Sequence, residues 1–359
     1  MPDAPGVQAA RPTIRVGDAD QPALVQGLLS LLVAEQVNGL YRCEARFGNW
    51  GSPPAGGGGT AGFLYFDRQL LDFGKPFSVK LGDDVIFDGR IMGLEADFPE
   101  GRAPEITVLA EDRLQDLRMT RRTRTFENAS AADAIRQIAS DHGLTAEVDL
   151  PGPTHKVLAQ VNQTDLAFVR DRARAVGAEV WITGSALKVK PRASRAGAPV
   201  RLTHGKELRE FSVLSDLARQ HTSLVVSGWD TSAKDAITHE ATDQVVQGEL
   251  GGDTSGAALL REAIGERKAS VTHTAPATSR EAQDRAEAAF RAQARRFLTG
   301  RGIAEPNAQL RVGAQVELKG LGPLFDGSYY LADVAHLFDG AHGMRTEFSA
   351  ERPGIGRAN

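Results

Sequence analysis

The stretch Leu310 to Arg352, LRVGAQVELKGLGPLFDGSYYLADVAHLFDGAHGMRTEFSAER, decides the fold. It opens in strict alternation. Leu310, Val312, Ala314, Val316 and Leu318 share one parity, and Arg311, Gln315, Glu317 and Lys319 hold most of the other. A two-residue period is that of a half-buried strand, whose successive side chains point to opposite faces. Gly320, Gly322 and Pro323 end it, and Asp326-Gly327 reads as a hairpin turn, because Gly tolerates positive φ. Tyr329 to Val334 gives a second strand. Asp339-Gly340 and Gly343 form another turn, and Met344 to Ala350 gives a third strand. The result is an antiparallel meander, part of a sheet or small barrel.

Working outward, the same signals recur at the other end of the chain. Pro12 to Val16 reads as a short strand. Leu24 to Val37 fits either a helix or a strand. The strand is favoured, with Asn38-Gly39 as turn and Leu40 to Phe47 as the return. Phe77 to Leu81, Val85 to Leu94 and Glu105 to Ala110 add three more strands, with Asp88-Gly89 read as a tight hairpin turn. Between these β regions the period changes. Ser130 caps a helix with Asp133 at its third position and Gly143 as stop. Ala134, Ile135, Ile138 and Ala139 form its apolar stripe. Thr164 caps a second helix carrying Leu166, Val169, Ala173 and Val176, stopped by Gly177. Glu179 to Thr183 and Leu187 to Lys190 close this region with a hairpin. Arg192 to Pro199 reads as a basic, small-residue linker. Glu207 to Ser215 and Thr222 to Trp229 return to strands. Thr278 with Glu281 is a capping box for a helix from Ser279 to Leu298, stopped by Gly300. Its stripe is mostly alanine, so it is expected to lie on a barrel or a neighbouring subunit.

Composition narrows the function. The chain has 359 residues, 41% hydrophobic and 25% charged, with net charge −4 from 42 basic and 46 acidic residues. Such a chain can hold two or three domains. Nothing in the balance calls for nucleic acid, which selects a strongly basic face. The single cysteine, Cys43, cannot form a disulfide within the chain, and its place in an alternating strand gives it a buried apolar role. The first residues lack a secretory signal, and the longest apolar window, Leu24 to Ala34, falls short of the roughly 20 residues a spanning helix needs. No membrane anchor is expected, and departure from the cell is left to another machine or to lysis.

The sequence offers no recognisable catalytic motif. The glycines of SPPAGGGG, Ser52 to Gly59, are followed by Thr60-Ala61-Gly62-Phe63, without the Lys-Ser/Thr of a phosphate loop, so Ser52 to Gly62 reads as a mobile rim loop. The eight histidines show no metal-ligand spacing; His336 and His342 flank a turn. Asp83-Asp84 and Glu111-Asp112 are neighbours on strands and point to opposite faces, unlike the paired acids of a glycosidase. Arg118, Arg121, Arg122 and Arg124 form a short basic run, read as a solvated or subunit-facing edge that pairs with Glu111, Asp112 and Asp116. No catalytic, cofactor or metal residue is assigned, and no enzyme is expected. Trp50, Trp181, Trp229 and four tyrosines are scattered, which gives little to a carbohydrate-binding reading.

Several stretches carry a resemblance. VKLGDDVIFDGRIMGLEADFPEGRAPEITVLAEDRLQDLR (79–118), NQTDLAFVRDRARAVGAEVWITGSALKV (162–189), VVSGWDTSAKDAI (225–237) and the closing meander with its DGSYY resemble, in order, the phage late control protein D family, related to the hub portion of VgrG. The similarity spans roughly residues 12–352. It implies a mainly β fold with α+β insertions: a first tube-like antiparallel β-barrel over 12–120, a small α+β domain over 121–195, a second barrel from 196–230 and 306–352, and a loop-and-helix insertion over 231–305. One barrel shape is used twice. The function implied is a structural baseplate hub of a contractile injection system: a phage tail, a tailocin or an extracellular injection particle. As a homotrimer its barrels would form a pseudo-six-fold ring between a hexameric inner tube, or its initiator, and a trimeric spike, among other baseplate proteins. Assembly is expected in the bacterial cytoplasm. VgrG-type chains continue into an OB-fold and a needle. This chain stops at Asn359, so the spike is expected as a separate protein. A tail-associated cell-wall hydrolase and a carbohydrate-binding tail component are the alternatives.

Overall fold

The computed structural model describes residues 11–37, 39–52, 61–195, 197–230, 233–272 and 276–357. The expected disordered start, most of the rim loop Ser52 to Gly62, and Asn38 of the expected Asn38-Gly39 turn lie outside the described residues. The fold is mainly β, with 48% strand and 20% helix.

The first β unit comprises β1 (Thr13–Val16), β2 (Leu28–Gln36), β3 (Arg42–Gly48), β4 (Pro76–Leu81), β5 (Asp84–Asp97) and β6 (Glu105–Glu111). A single helical turn, Pro22–Gln26, replaces the start of the strand expected from Leu24. The alternating residues do what their period implies: Val33, Cys43, Phe47, Val79 and Val108 point into one core and are almost fully buried. Asp88-Gly89 makes no hairpin turn. It lies inside β5, which pairs with β4 through residues 84–90 and with β6 through 90–97. Gly89 serves close approach, because a Cβ there would stand 2.2 Å from the Glu111 carbonyl oxygen.

The middle of the chain holds β7 (Arg121–Ala129), α1 (Ala131–Asp141), β8 (Thr145–Val148), β9 (His155–Thr164), α2 (Asp165–Ala175), β10 (Ala178–Thr183) and β11 (Ala186–Pro191). Ser130 and Asp133 form the expected capping box on α1, and Thr164 caps α2. Ile135, Ile138 and Val169 close a separate core, in which Phe126 stacks on Phe168 at 5.6 Å.

The remainder is β12 (Val200–Thr203), β13 (Leu208–Ser215), β14 (Ser223–Asp230), β15 (Asp235–Thr242), α3 (Gly256–Ala263), β16 (Lys268–Val271), α4 (Ser279–Ala294), β17 (Leu298–Ala304), β18 (Gln315–Lys319), β19 (Gly327–Asp339) and β20 (Gly343–Arg352). Three expectations change here. The strand expected over Thr222 to Trp229 forms β14, which leaves the second β unit and pairs with β15 and β16. On that small sheet α4 packs through Ala282, Ala286 and Phe290, the small side chains bringing helix and sheet close. The helix ends at Ala294, and Gly300, expected as its stop, sits inside β17, a strand of the second β unit. A Cβ on Gly300 would meet the Phe211 ring at 2.2 Å, and one on Gly302 the Phe348 ring at 2.4 Å, so both glycines make room for core aromatics. The alternating run from Leu310 becomes a strand only at Gln315, because Gly313 takes φ +95°.

One antiparallel sheet spans both β units, in the order β13-β17-β20-β19-β2-β3-β6-β5. The units join at β19 and β2, with His336 opposite Val33 and Leu337 opposite Leu32. Read in one direction, each unit contributes its first, second, fourth and third strand in chain order. A further strand pairs with the last one in each case, β4 on β5 and β18 on β19. The repeat of shape is thus a repeat of topology.

Candidate assembly surfaces

Alternation leaves one face of this long sheet on the cores and the other open. On β17 and β20, Leu298, Gly300, Met344 and Phe348 are buried, whereas Thr299, Arg301, Arg345 and Glu347 are not. The same parity continues through Ala335 and Ala34 across the junction, so the open face runs on, with charged groups on β17 and β20 and smaller apolar ones at the junction. Beneath the junction Glu35 is buried. It accepts hydrogen bonds from the Arg311 guanidinium and, at 3.0 Å, from the Val312 N–H. Arg311 therefore does not sit freely on the solvent parity.

The two ends of the eight-strand path differ: β5 is covered by β4 through residues 84–90, and Ile91 still bonds Lys75 and Gly74. Apart from one bridge between His204 and Leu208, β13 pairs only with β17, and residues 92–97 of β5 have a ladder partner only in β6 among the described residues. Edges of this kind present unpaired backbone donors and acceptors.

At the end of the first β unit where β3, β5 and β6 meet their loops, Trp50, Phe63, Phe66 and Phe98 cluster. Trp50 packs edge-on to Phe63 at 5.3 Å, and Phe66 lies 5.6 Å from Phe98. Trp50, Phe63 and Phe98 are about half exposed or more. The sequence reading weighed Trp and Tyr alone and found them scattered. Phenylalanine, 15 residues in this chain, supplies the cluster.

A polar latch ties the units together. Glu179 accepts from Arg195 Nη1 at 2.9 Å and from the Tyr330 hydroxyl at 2.5 Å. Arg195 also donates to the Tyr41 hydroxyl and lies over Trp181 at 4.7 Å. Arg192 stacks on Tyr330 at 3.3 Å and pairs with Glu351 at 2.6 Å. Burial pushes the tyrosine hydroxyls up, so they stay protonated. The stretch read as a basic, small-residue linker thus carries two arginines with buried side chains.

The residues weighed for chemistry are dispersed. Cys43 is buried, and desolvation pushes its thiol up. His336 bonds Thr346 at 3.1 Å inside the core; burial, reinforced by the Arg311 charge, lowers its pKa to about 3 and keeps it neutral. His342 is exposed beside Asp339. Arg118 pairs with Glu111 as expected, but Arg122 and Arg124 reach Asp165, and Arg124 also Asp141. Among the described residues no group of three His, Cys, Asp or Glu is placed to hold a metal, and no helix is long and apolar enough to cross a membrane.

This architecture is that of phage tail proteins. A 43 kDa tail protein of prophage MuSo2 from Shewanella oneidensis superposes with a TM-score of 0.69 at 14% identity, over 96% of this chain and 98% of that one. The tail protein of Neisseria meningitidis MC58 gives 0.68 at 12%, over 97% and 98%. The E. coli c3393 protein, a component of the type VI secretion system with structural similarity to the T4 tail proteins gp27 and gp5, gives 0.54 at 12%, over 99% of this chain and 79% of that one. The family model of the Alg8 N-terminal domain matches residues 65–339. No curated protein matches the sequence.

Proposed function

We propose that the chain is a structural, non-catalytic baseplate hub of a contractile injection system, a homotrimeric adaptor between a hexameric inner tube and a trimeric spike. One observation carries this: the contact that joins the two β units inside the chain has free counterparts at the two ends of the same sheet. In the topological repeat β13 corresponds to β2, and β5 to β19. Residues 333–339 of β19 pair with β2; the equivalent second half of β5, residues 92–97, is an open edge, and so is β13. A second copy can therefore set its β13 against this β5 as β2 sits against β19. Every neighbour in the path is antiparallel, so the two open edges run in opposite directions and the pairing preserves the alternation. Two alike units per chain and three chains give six-fold-like order around a three-fold axis. The open sheet face would then line the ring, and the aromatic cluster would lie on one rim, as a contact for a stacked tube or initiator subunit. The type VI component and the tail proteins that share the fold support the setting.

The test is mass by light scattering of the purified chain, alone and mixed with its candidate spike and tube partners. Trimers, alone or in the mixtures, are expected. A strict monomer in every sample overturns the reading. Loss of turbidity from a peptidoglycan suspension would instead favour a cell-wall hydrolase.

A further inference from the structure

Between α2, α4, β10 and the open face of β17, β19 and β20 lies a cleft of about 930 Å³. Six guanidinium groups and three carboxylates line it. Some of these charges are spent internally: Arg192 pairs with Glu351 and Arg295 with Glu249, each at 2.6 Å, and Arg174 lies 3.8 Å from Asp171. Arg296 and Arg301 differ. Among the described residues neither has a carboxylate within ion-pair distance, whereas Arg170 is engaged elsewhere, donating to the Gly39 carbonyl at 3.1 Å. The floor between them includes small residues, Gly177, Ala288 and Ala292 among them. A cleft with a smooth floor and unpaired guanidinium groups suits a ligand whose main chain can lie close and whose anionic side chains reach the walls. No aromatic ring lines it to stack a base, and Glu179, Asp333 and Glu351 interrupt the positive lining, which disfavours the evenly spaced charges of a phosphate chain.

We propose that this cleft binds an extended acidic segment of a partner protein, with Arg296 and Arg301 as its carboxylate-reading groups. The cleft is complete within one chain, so the proposal stands or falls separately from the ring. The probe is a fluorescein-labelled peptide of alternating Glu and Ala, titrated with the full chain at low salt and followed by fluorescence polarisation. Saturable binding is expected, weakened by added salt. The double variant R296E/R301E should bind about tenfold more weakly or worse, whereas R102E, on a distant loop, should bind as the parent does. Should R296E/R301E melt at a lower temperature than the parent, R296Q/R301Q replaces it, with a smaller loss in the same direction. Absence of saturable binding overturns the proposal. So does parental affinity in the double variants, or tighter binding of a labelled oligothymidylate of equal charge.

Discussion

Asp112 joins the first β unit to the middle of the chain through two backbone contacts. Its carboxylate accepts from the Tyr41 N–H and the Leu114 N–H, each at 2.9 Å, in a site almost closed to water. Desolvation outweighs these donors and the nearby Arg170 charge, and raises its pKa to about 7. The sign follows. A group titrating higher in the folded than in the unfolded chain contributes its full stability below the ordinary carboxylate range and loses it as pH rises through the folded value. Melting temperature should therefore fall from pH 5 to pH 8. Asp112→Asn cannot ionise and should flatten that slope, at some cost because an amide offers one accepting oxygen for two donors. Superimposable pH profiles of parent and variant would refute the assignment.

At the scale of single elements, β13 is where a ring would close. Its outward backbone groups alternate, so a proline scan over residues 210–214 should split in two. Where the N–H faces outward, proline should leave the monomer's melting temperature nearly unchanged and abolish the trimer in light scattering. Where it faces β17, proline should destabilise the fold itself, since it removes a ladder bond. Uniform retention of trimers would place the contact elsewhere. Elements of clear period were legible in the sequence: β3, β6, β13, the closing meander and the three capped helices. β17 was hidden because Gly300 and Gly302 occupy its buried parity with no apolar side chain to mark it. Asp88-Gly89 misled for the converse reason: a turn dipeptide serves strand crossing when a neighbouring backbone comes near enough. The latch arginines Arg192 and Arg195 carried no local signal, as their partners lie on strands far away in sequence. The aromatic rim was invisible for the same reason.

For the whole molecule the latch adds a side-chain tie between the units to the β19–β2 ladder that already joins them. Removing one partner of a buried ion pair leaves the other charge uncompensated. Glu179→Ala should cost about 3–5 kcal/mol in urea unfolding, and should separate one cooperative transition into two if the latch is the main coupling between the units. A loss under about 0.5 kcal/mol, the range of ordinary surface substitutions, would reduce it to a bystander.

The junction of β19 with β2 has a further consequence for how such a particle accumulates. The same kind of contact would occur within each polypeptide and between polypeptides. The internal one forms at the effective concentration set by the tether, whatever the dilution. Half of the seams in a finished ring would then be sealed during folding, and only the other half would respond to protein concentration. Expression level should thus control how many rings form, while each unit pair stays intact.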